Sequence, residues 1–170
     1  MDHDPDPLFL LVLAALRMHG IPYWTLRDEP RVLFFRNTAV WRIECEVETR
    51  PRQEQIVVRA RYAPTVCGKA LSDVRDFLAR ADTEYDLTKF VIDIERGTIV
   101  VVSGINAADS AIDVEIIGNH IAEALYTAGI IFPLINEVAL GALTSAAALD
   151  QLPRHRVVEV VADVNNRLDY

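Results

Sequence analysis

Trp41-Arg42-Ile43-Glu44-Cys45-Glu46-Val47-Glu48, followed by Gln55-Ile56-Val57-Val58-Arg59-Ala60-Arg61-Tyr62, is the stretch that decides the fold. Both halves alternate. Trp41, Ile43, Cys45 and Val47 fall on one side of an extended chain, and Arg42, Glu44, Glu46 and Glu48 on the other. In the second half Ile56, Val58, Ala60 and Tyr62 face in, while Gln55, Val57, Arg59 and Arg61 face out. A period of two with one wet face marks half-buried β-strands. Thr49 to Arg52 supplies a turn. Antiparallel pairing then sets glutamates beside arginines, which fixes the register.

Working outward, Leu33 to Arg36 adds a shorter strand that turns at Asn37-Thr38. Before it, Asp6 is placed to cap a helix with Pro7 at its first position, where a missing N–H costs nothing. Leu8 to His19 reads as a helix stopped by Gly20 and Pro22, and it is apolar enough to be buried on most of its faces. After Pro64 to Gly68, a second helix carries Leu71, Val74, Leu78 and Ala81 at helical spacing. A hairpin follows: Phe90, Ile92 and Ile94 on one side, a turn at Glu95-Arg96-Gly97-Thr98, and a return over Ile99 to Val102. The returning strand is apolar on both faces, so it is buried on both sides or pairs with another chain. Val91, Val100 and Val102 are the candidate protein-interface residues on this ground. Ser110-x-x-Asp113 resembles a capping box at the start of the longest helix, with Val114, Ile117, Ile121, Leu125 and Ala128 as its core stripe. Pro133 is expected to kink or divide that helix. Ala142 to Ala148 is helix-prone, and from Pro153 a last segment sets Val157, Val161, Val164 and Leu168 on one helical face.

The expected architecture is α+β, an antiparallel sheet packed with helices in the order α-β-β-β-α-β-β-α, plus a C-terminal helix. Residues 1–6 form a tail, 7–150 one domain and 151–170 a helical appendix. A length of 170 residues suits one domain.

The charge balance, 25 acidic against 17 basic residues and a net −8, has the wrong sign for nucleic-acid binding. Arg50, Arg52, Arg59 and Arg61 cluster, but Glu44, Glu46, Glu48 and Glu54 lie among them. The same acidity disfavours anionic membranes. The apolar run Leu8 to Leu16 is too short for the ~20 residues of a spanning helix. The acidic residues before it do not resemble the basic start of an export signal. Cys45 and Cys67 lack metal or redox spacing. A cytoplasmic protein with reduced thiols is the expectation.

Chemistry-bearing patterns are sparse. His120 and Glu123 share a helix face at a spacing used by carboxylate–histidine metal sites, but with no further ligand they read as part of a polar face. Met1-Asp2-His3 has the form of an amino-terminal Cu(II) or Ni(II) chelate and reads as a tail with an incidental histidine. Asp93 and Glu95, on one strand face, offer two carboxylates for acid–base work; a solvated edge is the simpler account. Ser103-Gly104 follows a strand without forming a nucleophile elbow. Cys45 reads as core, Cys67 as an inert loop thiol, and Trp24 and Trp41 as core. No catalytic, cofactor-binding or metal-binding residue is assigned.

Two segments carry a family resemblance: Phe90-Val91-Ile92-Asp93-Ile94-Glu95-Arg96-Gly97-Thr98-Ile99-Val100-Val101, and Ile130-Ile131-Phe132-Pro133-Leu134-Ile135-Asn136-Glu137-Val138-Ala139-Leu140-Gly141. With the element order, they make Leu8 to Leu149 resemble the YbjN family of bacterial sensory transduction regulators. The resemblance implies the fold of type III secretion chaperones and a non-enzymatic protein, often a homo-oligomer such as a dimer, that acts through contacts with a protein partner and needs no cofactor. A secretion chaperone holding an exported client is the second expectation, and an enzyme with an unrecognised site the third.

Overall fold

The computed structural model describes residues 6–27, 29–38, 41–108 and 111–153. The chain runs α1 (Pro7–Met18), β1 (Trp24–Thr25), β2 (Arg31–Asn37), β3 (Arg42–Arg50), β4 (Gln55–Tyr62), α2 (Lys69–Ala81), β5 (Thr88–Asp93), β6 (Thr98–Asn106), α3 (Val114–Ala139) and α4 (Ser145–Leu149). The strands form a six-stranded sheet in the order β1-β2-β3-β4-β6-β5, antiparallel throughout. This is the expected α+β architecture. The two-residue β1 is an addition to it. Met1-Asp2-His3, Ser110 and the Val157–Leu168 helix face lie outside the described residues.

The expected register holds. Glu44 pairs with Arg61 and Glu46 with Arg59 across β3 and β4. The alternation also puts Val32, Phe34, Ile43, Cys45, Val47, Ile56, Val58, Ala60, Tyr62, Ile99 and Val101 into the core. The helices cover that one face, with α3 lying across β4 and β6. Val57 departs from its expected place in water: at 9% exposure it is buried on the opposite face, between Glu48 and Gly104 on the neighbouring strands.

Helix α3 is the spine of the core. It buries Ile117, Ile121, Leu125, Ala128, Ile131, Phe132, Ile135 and Val138 among others, each large apolar side chain contributing on the order of 2 kcal/mol. By length and composition it is apolar enough to cross a membrane; here that apolarity faces the sheet, α1 and α2. Its N-cap is Asp113, whose side chain accepts from the Ile116 N–H. Pro133 does not divide it. The ring of a helical proline crowds the carbonyl four positions earlier, here that of Gly129, and removes its N–H donor; the residues on both sides, Ile131, Phe132, Leu134 and Ile135, stay buried in one core and keep the helix continuous.

Helix α1 starts where expected: the Asp6 side chain accepts from the Leu8 N–H at 3.1 Å and from the Thr49 hydroxyl at 2.6 Å, which ties the helix to β3. It is not buried on most faces. Val12, Ala15 and Leu16 are in the core, while Leu10 and Met18 are exposed. The helix packs on α3 and β3, with Leu8, Phe9, Leu11 and Leu13 partly buried against the core. At Gly118 of α3 a Cβ would run into the His19 ring at the end of α1, so the glycine permits their close approach.

Strand β6 continues four residues beyond the expected Val102, to Asn106, because β4 supplies partners along its whole length: Gln55 meets Asn106 and Tyr62 meets Ile99.

Candidate functional site

Among the described residues, helices cover one face of the sheet and leave the other open, and the open face is where they present chemistry. The antiparallel register arranges it in rows. One row reads Val91, Val100, Arg61, Glu44 and Phe35; the next reads Lys89, Val102, Arg59, Glu46, Leu33 and Trp24. The sequence-selected Val91, Val100 and Val102 therefore stand together. Val91 is half exposed, and Val100 and Val102 are partly buried. Strand β6 lies inside the sheet, its Ile99 and Val101 under the helices and its valines on the open face. Its double apolarity thus has two separate causes.

Charge occupies the middle of this face. Arg59 reaches Glu46 at 2.8 Å and Glu48 at 2.7 Å, and Arg50 holds Glu48 at 3.2 Å. The hydrogen bond from Arg50, aided by Arg59, keeps the Glu48 carboxyl below its usual range. At the far side, Trp24 packs edge-on against Phe35 with ring centroids 5.6 Å apart, and the Arg42 guanidinium stacks 3.8 Å over the Phe35 ring. Trp24 is 56% exposed, which overturns its expected core position: β1 is a short edge strand and nothing described covers its outer face. Trp41 is partly buried and packs on Tyr62, which packs on Phe132. The open face is therefore an ion-pair ladder with valines at one flank and a Trp–Phe–Arg stack at the other. Exposed aromatic and guanidinium groups beside apolar area are the composition of protein interfaces.

The other candidates fare differently. His120 does not sit on a polar helix face: its Nδ1 lies 2.8 Å from the Ser103 hydroxyl, and burial lowers its pKa below 6.5. Residues weighed apart in sequence thus form a Ser–His pair. Sequence offers no signal for it, since α3 must lie on β6 before the two meet. Ser103 is 1% exposed, so a substrate reaches it only if α3 lifts from the sheet. Glu123 accepts from Thr127, one turn along. Asp93 ends β5, and its Oδ1 accepts from the N–H groups of Glu95 and Arg96. Glu95 is in the turn and exposed, and Asp93 builds that turn, so the two carboxylates do not share a strand face. Cys45 is buried, its thiol pushed up to about 12 by loss of solvation, and Cys67 is exposed; both are free thiols. Among the described residues, no three His, Cys, Asp or Glu side chains converge as metal ligands.

A second feature is a groove of about 430 Å³ between α2 and β5, lined by Leu78, Ala79, Phe90, Ile92 and Ile94 with Arg75 and Asp82 at its rim. Neither His120 nor Cys67 reaches it.

Comparison with known proteins gives likeness in fold. No family model matches the chain, and no curated protein matches it in sequence. Among solved structures, the chain is similar to a chain of the ExsC-ExsE complex, with a TM-score of 0.58 and 14% identity over 77% of this chain and 95% of that one. A chain of the ExoT-SpcS complex from Pseudomonas aeruginosa aligns at a TM-score of 0.48 and 11% identity over 73% and 97% of the two chains. The YbjN resemblance gains nothing from these comparisons. The antiparallel α+β fold it implied is present.

Proposed function

We propose that this chain is a non-enzymatic protein-binding module of the secretion-chaperone type, holding an extended segment of a client across the open face of its sheet. The observation that carries the reading is that face itself. It has partly exposed valines on β5 and β6, a solvated Glu–Arg ladder and a Trp24–Phe35–Arg42 stack, laid out in rows that an extended chain with alternating side chains matches. The similar fold solved as part of the ExsC-ExsE complex supports it. The regulatory reading drawn from the YbjN resemblance uses the same face and differs in its partner: a resident regulator rather than an exported client. The reading keeps the chain in the cytoplasm, without a cofactor, and assigns Val91, Val100 and Val102 to the interface. Self-association into a dimer is the use of this face when no client is present.

The test is a pull-down from the native host with mass spectrometry, using the wild type and a Val100→Lys/Val102→Lys variant. Lysine on this face leaves the helix-side core untouched, but it faces Arg61 from position 100 and Arg59 and Lys89 from position 102, so the melting temperature falls by a few degrees and the comparison is made below the variant's own melting transition. The wild type retains an exported protein, the variant loses it, and light scattering shows the variant shifted toward monomer. Equal retention by a folded variant refutes the assignment, and a resident regulator as the sole retained protein selects the other partner class.

A further inference from the structure

The charges of the open face fall into two sets. Toward one end Arg59 and Arg50 hold Glu46 and Glu48 in ion pairs, all four side chains partly buried. The row that contains Val91, Val100, Arg61, Glu44 and Phe35 is different. Arg61 is exposed and makes no ion pair or hydrogen bond among the described residues. Arg42 lies one row on, opposite Asn37. Its guanidinium rests 3.8 Å over the Phe35 ring, and its N–H groups meet no acceptor among the described residues. Glu44 stands opposite Arg61 and bonds to neither arginine. In a chain of net charge −8, this corner sets two unpaired guanidinium groups against one carboxylate.

We infer that the client segment carries the pattern apolar-x-acidic-x-apolar and crosses this row with its carboxylate between Arg42 and Arg61. The inference rests on the open-face reading above and deepens it, by naming what that face selects.

The acidic position follows from the arginines. They are diagonal neighbours across β3 and β4, ~7–8 Å apart at the backbone, a span that two long side chains close on one carboxylate. Stacking on Phe35 already holds Arg42 in place, so less side-chain freedom is lost when an anion binds. The spacing follows from the sheet. Phe35 on β2 and Val100 on β6 are separated by β3 and β4. Those three strand steps come to ~14 Å at ~4.8 Å each, and four extended residues cover ~13 Å at ~3.3 Å each. A side chain at the first position therefore meets Phe35 and the exposed Trp24 packed against it. One at the fifth position meets Val100 and Val91. The third position, on the same side of an extended chain, falls midway, over Glu44 and Arg61. A basic residue there meets two like charges.

The probes are rhodamine-labelled peptides Ser-Leu-Ser-Glu-Ser-Leu-Ser and the same sequence with glutamine or lysine at its centre, titrated with the full chain and read by anisotropy. The expected order of affinity is glutamate over glutamine over lysine, with about fivefold between the first two and less at high salt. In an Arg61→Glu variant the order reverses. Equal affinities for the wild type, or no binding by any of the three, overturn the inference without recourse to the variant. So does an unchanged order in a folded Arg61→Glu chain. Light scattering at the same concentrations identifies a dimer that excludes all three peptides, which assigns the row to a second copy and equally overturns the inference. The native-host pull-down with Val100→Lys/Val102→Lys reads the open face whatever the client's sequence. Failure there removes the face, and failure among the peptides removes the pattern alone.

Discussion

Gly97 sits at the tip of the β5–β6 hairpin with φ +64°, and its carbonyl accepts from the Val66 N–H at 2.9 Å. A Cβ there would drive into the Val66 carbonyl and the Thr65 methyl. A glycine in the turn was legible in sequence; the close approach behind it was not, because residues 65–66 come from another part of the chain. Gly97→Ala is expected to cost about 2 kcal/mol or more, from strain at positive φ added to the backbone contact. The urea midpoint falls accordingly, and an unchanged midpoint refutes the account. His120 makes a pH-dependent contribution. Burial lowers its folded-state pKa below the ordinary 6.5, so just below pH 6.5 the unfolded chain takes up a proton that the folded chain refuses. Stability is therefore lost as pH falls through that value and levels off below the folded-state pKa. His120→Gln keeps a hydrogen-bond partner for Ser103 and does not titrate there. Its stability from about pH 7 to 5.5 should be flatter than wild type, and a parallel profile refutes this. Glu48 belongs to a lower window: its carboxyl is depressed from 4.5, so its contribution is lost as pH falls below that.

Among elements, β3 and β4 were the most legible, since a two-residue period with opposite charges on the wet faces specifies both conformation and register. Strand β6 was read short because Ser103-Gly104 breaks the apolar pattern. Its continuation to Asn106 comes from backbone pairing with β4, which is indifferent to side chain. Helix α1 was legible as a helix and misjudged in burial, because composition records how apolar an element is and not how many neighbours it finds. In α3 the interior Pro133 leaves the Gly129 carbonyl without the helical N–H it would otherwise receive. Pro133→Ala restores that donor without adding bulk and is expected to raise stability by about 1 kcal/mol. A scan of thermal melting checks it, and a lower melting temperature would show that the helix has been shaped around the ring.

For the whole molecule, sequence alone determined the class of every main element described, the antiparallel Glu–Arg register, the inward place of Cys45 and the choice of Val91, Val100 and Val102 as apolar residues off the main core. These follow from local periodicity and charge, which neighbouring residues carry among themselves. Only the tertiary structure decided that β6 inserts between β4 and β5, that helices cover one face and leave the other open, that Trp24 stands in solvent over Phe35, and that Ser103 meets His120. Each depends on which distant surfaces pack against one another. Apolar burial is non-directional and roughly proportional to area, so a one-dimensional pattern says that a face must be covered without saying by what.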